Sequence, residues 1–300
     1  MSASHFAGIG FGLGAALCQS LSYLFSRRFM RKTERSALLL LVLSHVVMGA
    51  LSLAVLAMTG TSRMPRLATY IWPLVGSAYF YLAAQLGLFR VLRCQESSRI
   101  APLLGMKVLV LALLSVAFLH QRLGAFQWTA VGMCVAAAWL LNEAGGRIPW
   151  PSLLTLLLTI VGYCLSDINI TILVGRVASA GPLAPVTAAC MSYVLCAVAV
   201  LPFAFRRDAC SRRVWGAAAP HALAWFSAMC LLYACFGLIG VVFGNIVQST
   251  RGMMSIALGW AVAHAGMVQI ESHAPRAVFW RRMAGALLMT TAIAVYLIGR

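Results

Sequence analysis

The sequence predicts an all-α polytopic membrane protein with ten transmembrane helices, arranged as two inverted repeats of five. The composition supports a membrane protein, because 62% of the 300 residues are hydrophobic and only 10% are charged. Soluble domains are about half apolar and about a quarter charged. Ten apolar runs follow one another along the chain, and a break at the midpoint separates two halves that carry a similar segment.

Each apolar run consists mainly of aliphatic and small residues, and a spanning helix needs about 20 of them. The first run has no basic segment and no small-residue cleavage site before it, so we expect it to be retained and not removed as a signal peptide. The fifth run is short, and the eighth and ninth nearly touch. The predicted spans are 6–26, 37–58, 70–92, 100–119, 127–142, 152–174, 184–205, 216–238, 241–266 and 280–298.

The connection EAGGRIPWPS (143–152) divides these runs into five and five, because its glycine pair and two prolines stop helices on both sides. The predicted halves are therefore residues 1–145 and 146–300. Repeats with an odd number of spans must lie in opposite orientations in the membrane, which is the plan of many secondary transporters.

Corresponding segments of the two halves carry a cation at membrane depth. SSRIAPLLGMKVLVL (97–111) is similar to NIVQSTRGMMSIALG (245–259), and the alignment brings Lys107 and Arg251 to nearly equivalent places. A cation at the centre of a spanning helix costs about 2.5–3.5 kcal/mol on insertion scales. Two such costs indicate a polar pathway or a bound anion, although Lys107 could instead extend towards the interface.

The ninth run has a polar face that predicts part of a substrate site. At 100° per residue its polar and small side chains fall on one arc, which suggests a face lining water. The same pattern is also typical of a helix contact held by small and amide residues. The residues of this face are Asn245, Gln248, Arg251, Gly252, Ser255 and Gly259.

Asp167 is the only acidic residue inside a predicted span. A carboxylate there is a candidate for charge or proton coupling, and the alternative is that it is the counter-ion of Lys107 or Arg251. In the third run, Tyr81 and Gln85 share a polar face and are candidates to supply hydrogen bonds to a substrate.

Several classes of function have no support in the sequence. The net charge of +17 comes from clusters between apolar runs, which indicates membrane topology and not nucleic-acid binding. Most of the nine cysteines lie in apolar runs without metal-ligand spacing, so no metal site or disulfide framework is expected. No nucleotide-binding loop or catalytic motif occurs, so we expect no cofactor and no enzymatic activity.

Two five-helix halves, about 300 residues, and a fourth helix that leads through a tight turn into a short fifth resemble the EamA-like drug/metabolite transporters. The resemblance implies a substrate cavity lined by the first four helices of each half, with the fifth helices packed outside. Members commonly have a Gly-Glu pair after the fourth helix. Here His120-Gln121-Arg122 stands in that turn, whereas the second half keeps an acid, Glu271.

The sequence therefore predicts a secondary transporter that moves a small polar or amphipathic, anionic or zwitterionic metabolite by alternating access. We expect it in the bacterial inner (plasma) membrane, in contact with lipid, and the sequence leaves open whether transport is coupled to protons. Lys107 and Arg251 would hold the anionic group of the substrate, and Asp167 would balance charge. A flippase for a lipid-linked phosphate would also use buried cations, and a membrane-embedded enzyme is a third alternative.

The distribution of Lys and Arg predicts the orientation. The odd-numbered connections carry roughly three times as many as the even-numbered connections and termini together. By the positive-inside rule, both termini lie outside the cytoplasm. The resemblance to known transporters implies the opposite, with both termini inside.

Overall fold

The structure is a computed structural model that describes residues 3–33, 36–59, 64–107, 109–110, 124–143, 147–181, 183–204 and 211–298. Within these residues all regular structure is helical, which confirms the all-α prediction. The α-helices are α1 (Ala3–Thr33), α2 (Ala37–Thr59), α3 (Ile71–Cys94), α4 (Ser97–Leu103), α5 (Ala125–Glu143), α6 (Trp150–Arg176), α7 (Ala184–Ala204), α8 (Arg212–Ser249), α9 (Arg251–His264) and α10 (Arg276–Ile298).

By length and composition, 7 helices of the described chain could cross a membrane, which confirms a multi-pass membrane protein. They are α1, α2, α3, α6, α7, the first part of α8, and α10. A shorter apolar helix, Ala125–Leu141, lies within α5. The full count of ten spans, their inverted arrangement and the division into halves stay predictions.

The ends of these helices follow local sequence chemistry. α6 begins directly after Pro149, and Pro151 occupies its first turn, where a missing backbone N–H costs nothing. Gly181, between α6 and α7, has a φ of 86°, a conformation that glycine adopts without steric cost. α3 ends where Gln95 becomes extended and donates its N–H to the carbonyl of Val91 at 2.8 Å.

The predicted fourth span, 100–119, differs from the structure at its start. The helix begins three residues earlier, at Ser97, and changes to a 3-10 turn over Leu104–Met106. Such a turn inside a helical run often marks a hinge or local strain. It immediately precedes Lys107, and residues 111–123 lie outside the described part of the chain.

The predicted boundary between the eighth and ninth spans, near 239–240, falls inside α8, which is helical through Ser249. Nevertheless α8 cannot be straight. The Cα of Gly12 lies close to both Cys235 and Val247, and twelve residues of straight helix would separate those two by about 18 Å. The chain therefore folds back between Cys235 and Val247, in the region where the sequence predicts a change of span.

The most extensive helix packing joins one predicted half to the other. The leading pairs are α1–α8, α3–α6, α2–α7, α5–α10 and α4–α9. If the two halves are equivalent, α1 corresponds to α6, α2 to α7, and so on to α5 and α10. Under this correspondence the pair α1–α8 is equivalent to the pair α3–α6. Each of the other three pairs joins two corresponding helices. That is the pattern expected when two similar halves are related by a pseudo-two-fold axis.

Candidate functional site

A central cavity of about 310 Å³ lies between helices of both predicted halves. This volume is near the lower limit of ordinary small-molecule sites, which begin at about 300 Å³. The polar and aromatic residues that line it come from α1, α3, the position directly after the 3-10 turn, and α6 to α9. They are Gln19, Tyr23, Ser77, Tyr81, Lys107, Tyr163, Ser166, Asp167, Ser192, Tyr193, Trp225, Tyr233, Gln248 and Arg251.

Arg251, the first residue of α9, lines this cavity and is held to α1 by hydrogen bonds. Its Nη1 donates to Oε1 of Gln19 at 3.2 Å, and Nε2 of Gln248 donates to the same oxygen at 3.2 Å. The hydroxyl of Ser20 donates to the backbone carbonyl of Arg251 at 3.0 Å. Within the described residues, the guanidinium of Arg251 has a neutral amide as its partner and no carboxylate.

Lys107 differs from Arg251 because it forms an ion pair with Asp167. The two side chains are 27% and 47% exposed, so the pair faces the cavity and is not sealed in a dry contact. Two elements position the pair: Lys107 follows the 3-10 turn, and Asp167 lies in α6. Neutralisation of Lys107 by Asp167 thus has a geometric basis, whereas charge coupling by Asp167 stays a prediction.

Aromatic rings form one wall of the cavity, with Tyr81 at its centre. The ring centroid of Tyr81 lies 5.6 Å from that of Tyr193, 6.2 Å from that of Tyr163 and 6.3 Å from that of Trp225. Nε1 of Trp225 donates to the hydroxyl of Tyr193 at 3.1 Å, which fixes two of these rings against each other. The wall can therefore contact a flat apolar group of a substrate.

The structure separates the predicted substrate-binding residues into two groups. Lys107, Arg251, Gln248 and Tyr81 line the cavity, whereas Gln85 and Ser255 do not. Gln85 is fully buried and accepts a hydrogen bond from the hydroxyl of Tyr163, so it supports the aromatic wall from behind.

Ser255 is fully buried, and within the described residues its hydroxyl has no hydrogen-bond partner. It shares a face of α9 with Gly252 and Gly259, which lie against Pro102 and Ser98. This part of the predicted polar face thus makes a close contact with α4 and does not line the cavity, because its small residues let the two helices approach. The side chain of Asn245 lies outside the described part of the chain.

Sequence reasoning missed three aromatic residues of the cavity: Tyr193 in α7, and Trp225 and Tyr233 in α8. A weak signal was present in α8, because Trp225, Met229 and Tyr233 recur at helical spacing and all line the cavity. Nothing in that spacing distinguishes a cavity face from a packed face.

Glu271 joins the start of α4 to the segment between α9 and α10, at the end of the molecule where α1 ends. Its Oε1 accepts hydrogen bonds from the backbone N–H of Ser97 at 2.7 Å and from the Ser97 hydroxyl, and its Oε2 accepts from the Ser98 hydroxyl at 3.0 Å. Nη1 of Arg282 donates to the Ser98 hydroxyl at 2.9 Å. We call this region, with Glu96 and Ser272, the charged end.

Glu96 makes a second link at the charged end, between the α3–α4 connection and α10. Its Oε2 lies 2.8 Å from Nη2 of Arg282, and its Oε1 accepts hydrogen bonds from the hydroxyl and backbone N–H of Ser272. Burial raises the pKa of Glu96, but the Ser272 hydroxyl and the Arg282 guanidinium outweigh it and hold that pKa below its usual value. Both acids therefore tie together segments from the two predicted halves.

Comparison with known families agrees with the resemblance noted in the sequence. Residues 6–143 match the model of the EamA-like transporter family, which confirms that resemblance over the first predicted half. No curated protein matches the chain.

Solved structures show that the whole chain has a known fold. One of the chains that match is described only as the crystal structure of a protein. The alignment covers 96% of this chain and 95% of that one, with a TM-score of 0.59 and 17% sequence identity. At this identity the likeness concerns the fold alone.

Proposed function

Because residues 6–143 of this chain match the model of the EamA-like transporter family, we propose that it is a secondary transporter for a small amphipathic anion or zwitterion. The central cavity is its substrate site. The proposed location is the bacterial inner membrane, and the proposed cycle is alternating access, in which the two halves rock around the cavity.

The charge of Arg251 is the observation that carries the proposal of an anionic group. Asp167 neutralises Lys107, so Arg251 is left as the excess positive charge of the cavity, with Gln19 as its hydrogen-bond partner. A charged group in a low-dielectric site needs an opposite charge or strong hydrogen bonds. A carboxylate or phosphate of the substrate supplies both, because it matches the two-pronged donor geometry of a guanidinium.

The aromatic wall supports an amphipathic substrate and not a wholly polar one. Tyr81, Tyr193 and Trp225 line the same cavity as Arg251. A substrate with an anionic head and a flat or apolar body satisfies both sides at once. The volume of about 310 Å³ favours a metabolite of modest size.

The exchange symmetry of the helix packing supports rocking of two halves. The pairs α2–α7, α4–α9 and α5–α10 each join equivalent helices of the two predicted halves. Such contacts can slide in a symmetric way while the site between them stays in place.

Uptake of labelled anions, zwitterions and cations into proteoliposomes tests the proposal. We expect Arg251→Gln to weaken transport of anionic substrates by about tenfold or more, since a charge-assisted hydrogen bond is lost. Arg251→Lys should also weaken binding, because it keeps the charge but loses the fork. Arg176→Gln, which removes an exposed arginine that does not line the cavity, is the matched control. Transport of cations alone would contradict the proposal.

Asp167 is the proposed coupling residue, since among the described residues it is the acidic one that lines the cavity. If protons drive transport through it, Asp167→Asn abolishes uptake driven by a pH gradient but leaves exchange of substrate for substrate partly intact. Unchanged pH-driven uptake in Asp167→Asn would rule out this coupling role.

A further inference from the structure

A second cavity, of about 400 Å³, lies at the charged end and shares no lining residue with the central cavity. It opens where α1 ends, where α3 turns into α4, and where α10 begins. We call it the arginine pocket, because four arginines line it. Its charged lining residues are Arg27, Arg31, Arg99, Arg282 and Glu96, and His273 and Cys94 also line it.

The two acids at the charged end are already engaged by other groups. Glu271 accepts hydrogen bonds from Ser97 and Ser98, and Glu96 is held by Arg282 and Ser272. These two carboxylates cannot balance the four guanidinium groups around the pocket. Among the residues that the structure describes, the arginine pocket therefore has an excess of positive charge.

One of the positive charges of the pocket, that of Arg27, is buried. The residue is only 4% exposed, yet within the described residues its Nε and Nη1 have no hydrogen-bond partner. Its nearest carboxylate oxygen, Oε1 of Glu271, lies 3.9 Å from Nε, which is too far for a hydrogen bond. A guanidinium does not lose its proton in proteins, so Arg27 is a buried cation, and within the described residues two of its nitrogens lack a hydrogen-bond acceptor.

We propose that the arginine pocket binds a phosphate-type oxyanion, with Arg27 as its deepest ligand. Several guanidinium forks around one cavity match the tetrahedral oxygens of a phosphate group. The pocket lies among the first, third and ninth connections, which the charge distribution places on the cytoplasmic side. Basic pockets between helices on that side are suited to anionic lipid headgroups. Free phosphate esters of the cytosol present the same chemistry.

Thermal unfolding of the purified full-length protein tests this site without any transport assay. In detergent, inorganic phosphate is compared with chloride at equal ionic strength. In nanodiscs without free phosphate, phosphatidylglycerol mixed into phosphatidylcholine is compared with phosphatidylcholine alone. A ligand that binds only the folded protein raises the unfolding temperature as its concentration rises. A response to inorganic phosphate assigns a soluble source, and a response only to phosphatidylglycerol assigns a lipid headgroup.

Matched variants separate the site from the general stabilising effect of phosphate salts. We expect Arg27→Gln to weaken the apparent affinity for the responding anion by about tenfold or more. Arg31→Gln, at an exposed position of the same pocket, should also weaken it and should fold even if Arg27→Gln does not. Arg28→Gln removes the same charge from α1 but lies outside the pocket, so it should respond like the wild type. Equal responses of Arg31→Gln and Arg28→Gln, or no response of the wild type, would overturn the proposal.

Discussion

At the scale of single residues, the pairing of Lys107 with Asp167 determines what a mutation of either costs. Asp167→Asn leaves an unpaired ammonium in the cavity, and we expect it to lower the free energy of unfolding by about 1 kcal/mol, since both groups are partly exposed. The double variant Lys107→Gln/Asp167→Asn should recover most of that loss. Unfolding of the detergent-solubilised proteins in a double-mutant cycle measures the coupling, and strictly additive effects would contradict the pairing.

Glu96 gives the charged end a defined pH dependence. Its pKa lies below the ordinary value of 4.5, so ionised Glu96 contributes stability at pH values above 4.5, and this contribution is lost as the pH falls through the lowered pKa. The contribution of Glu96 to thermal stability should therefore change little between neutral pH and about pH 5, and it should decrease at lower pH. Glu96→Gln should be less stable than the wild type at neutral pH and should show a smaller decrease in acid. Parallel acid profiles of the two proteins would contradict this assignment.

Single residues also show why only part of the site could be predicted. Lys107, Asp167 and Arg251 were detectable because a charge inside an apolar run is visible in one sequence. Trp225 was not, because a tryptophan in such a run can equally face outward, as Trp139 does at 63% exposure. The helical period predicts that Ser255 lies on the polar face of its helix, but it does not identify what that face contacts.

At the scale of helices, the approach of α9 to α4 depends on glycine. A Cβ on Gly252 would lie 3.0 Å from the Cα of Pro102, a backbone atom that cannot move aside easily. We expect Gly252→Ala to destabilise the protein by about 1–3 kcal/mol, as overpacking does. Gly132→Ala in α5 is the control, because its Cβ would meet nothing within 4 Å. Thermal unfolding compares the two, and an equal effect would mean that the helices can separate without cost.

The helices that the sequence located least well are those that tertiary contacts reshape. α4 tightens into a 3-10 turn beside Lys107, and α8 folds back near Gly12. Hydropathy gives the length of an apolar run, but no proline or polar cluster marks the fold-back in α8. By contrast, α2 and α7 coincide closely with their predicted spans, since turn-forming residues flank both.

At the scale of the whole molecule, the grouping of connections bears on orientation. The first, third and ninth connections meet around the arginine pocket, as they must if they share one side of the membrane. The positive-inside rule makes that side cytoplasmic and places both termini outside. A C-terminal fusion to green fluorescent protein should therefore stay dark in a bacterial host, because that reporter folds only inside the cell. A fluorescent fusion would show that the C-terminus lies in the cytoplasm and that the predicted orientation is wrong.

The charged end also makes the two directions of rocking unequal. Outside the spans, every Asp and Glu lies in or next to an odd-numbered connection, so the even-numbered connections have no carboxylate with which to pair. Opening the charged end breaks hydrogen bonds to ionised groups, each contributing about 1.5–3 kcal/mol, whereas the connections at the opposite end have arginines but no carboxylate with which to pair them. In the proposed cycle the empty protein therefore rests with the charged end shut, and its opening is the slow half of each turnover.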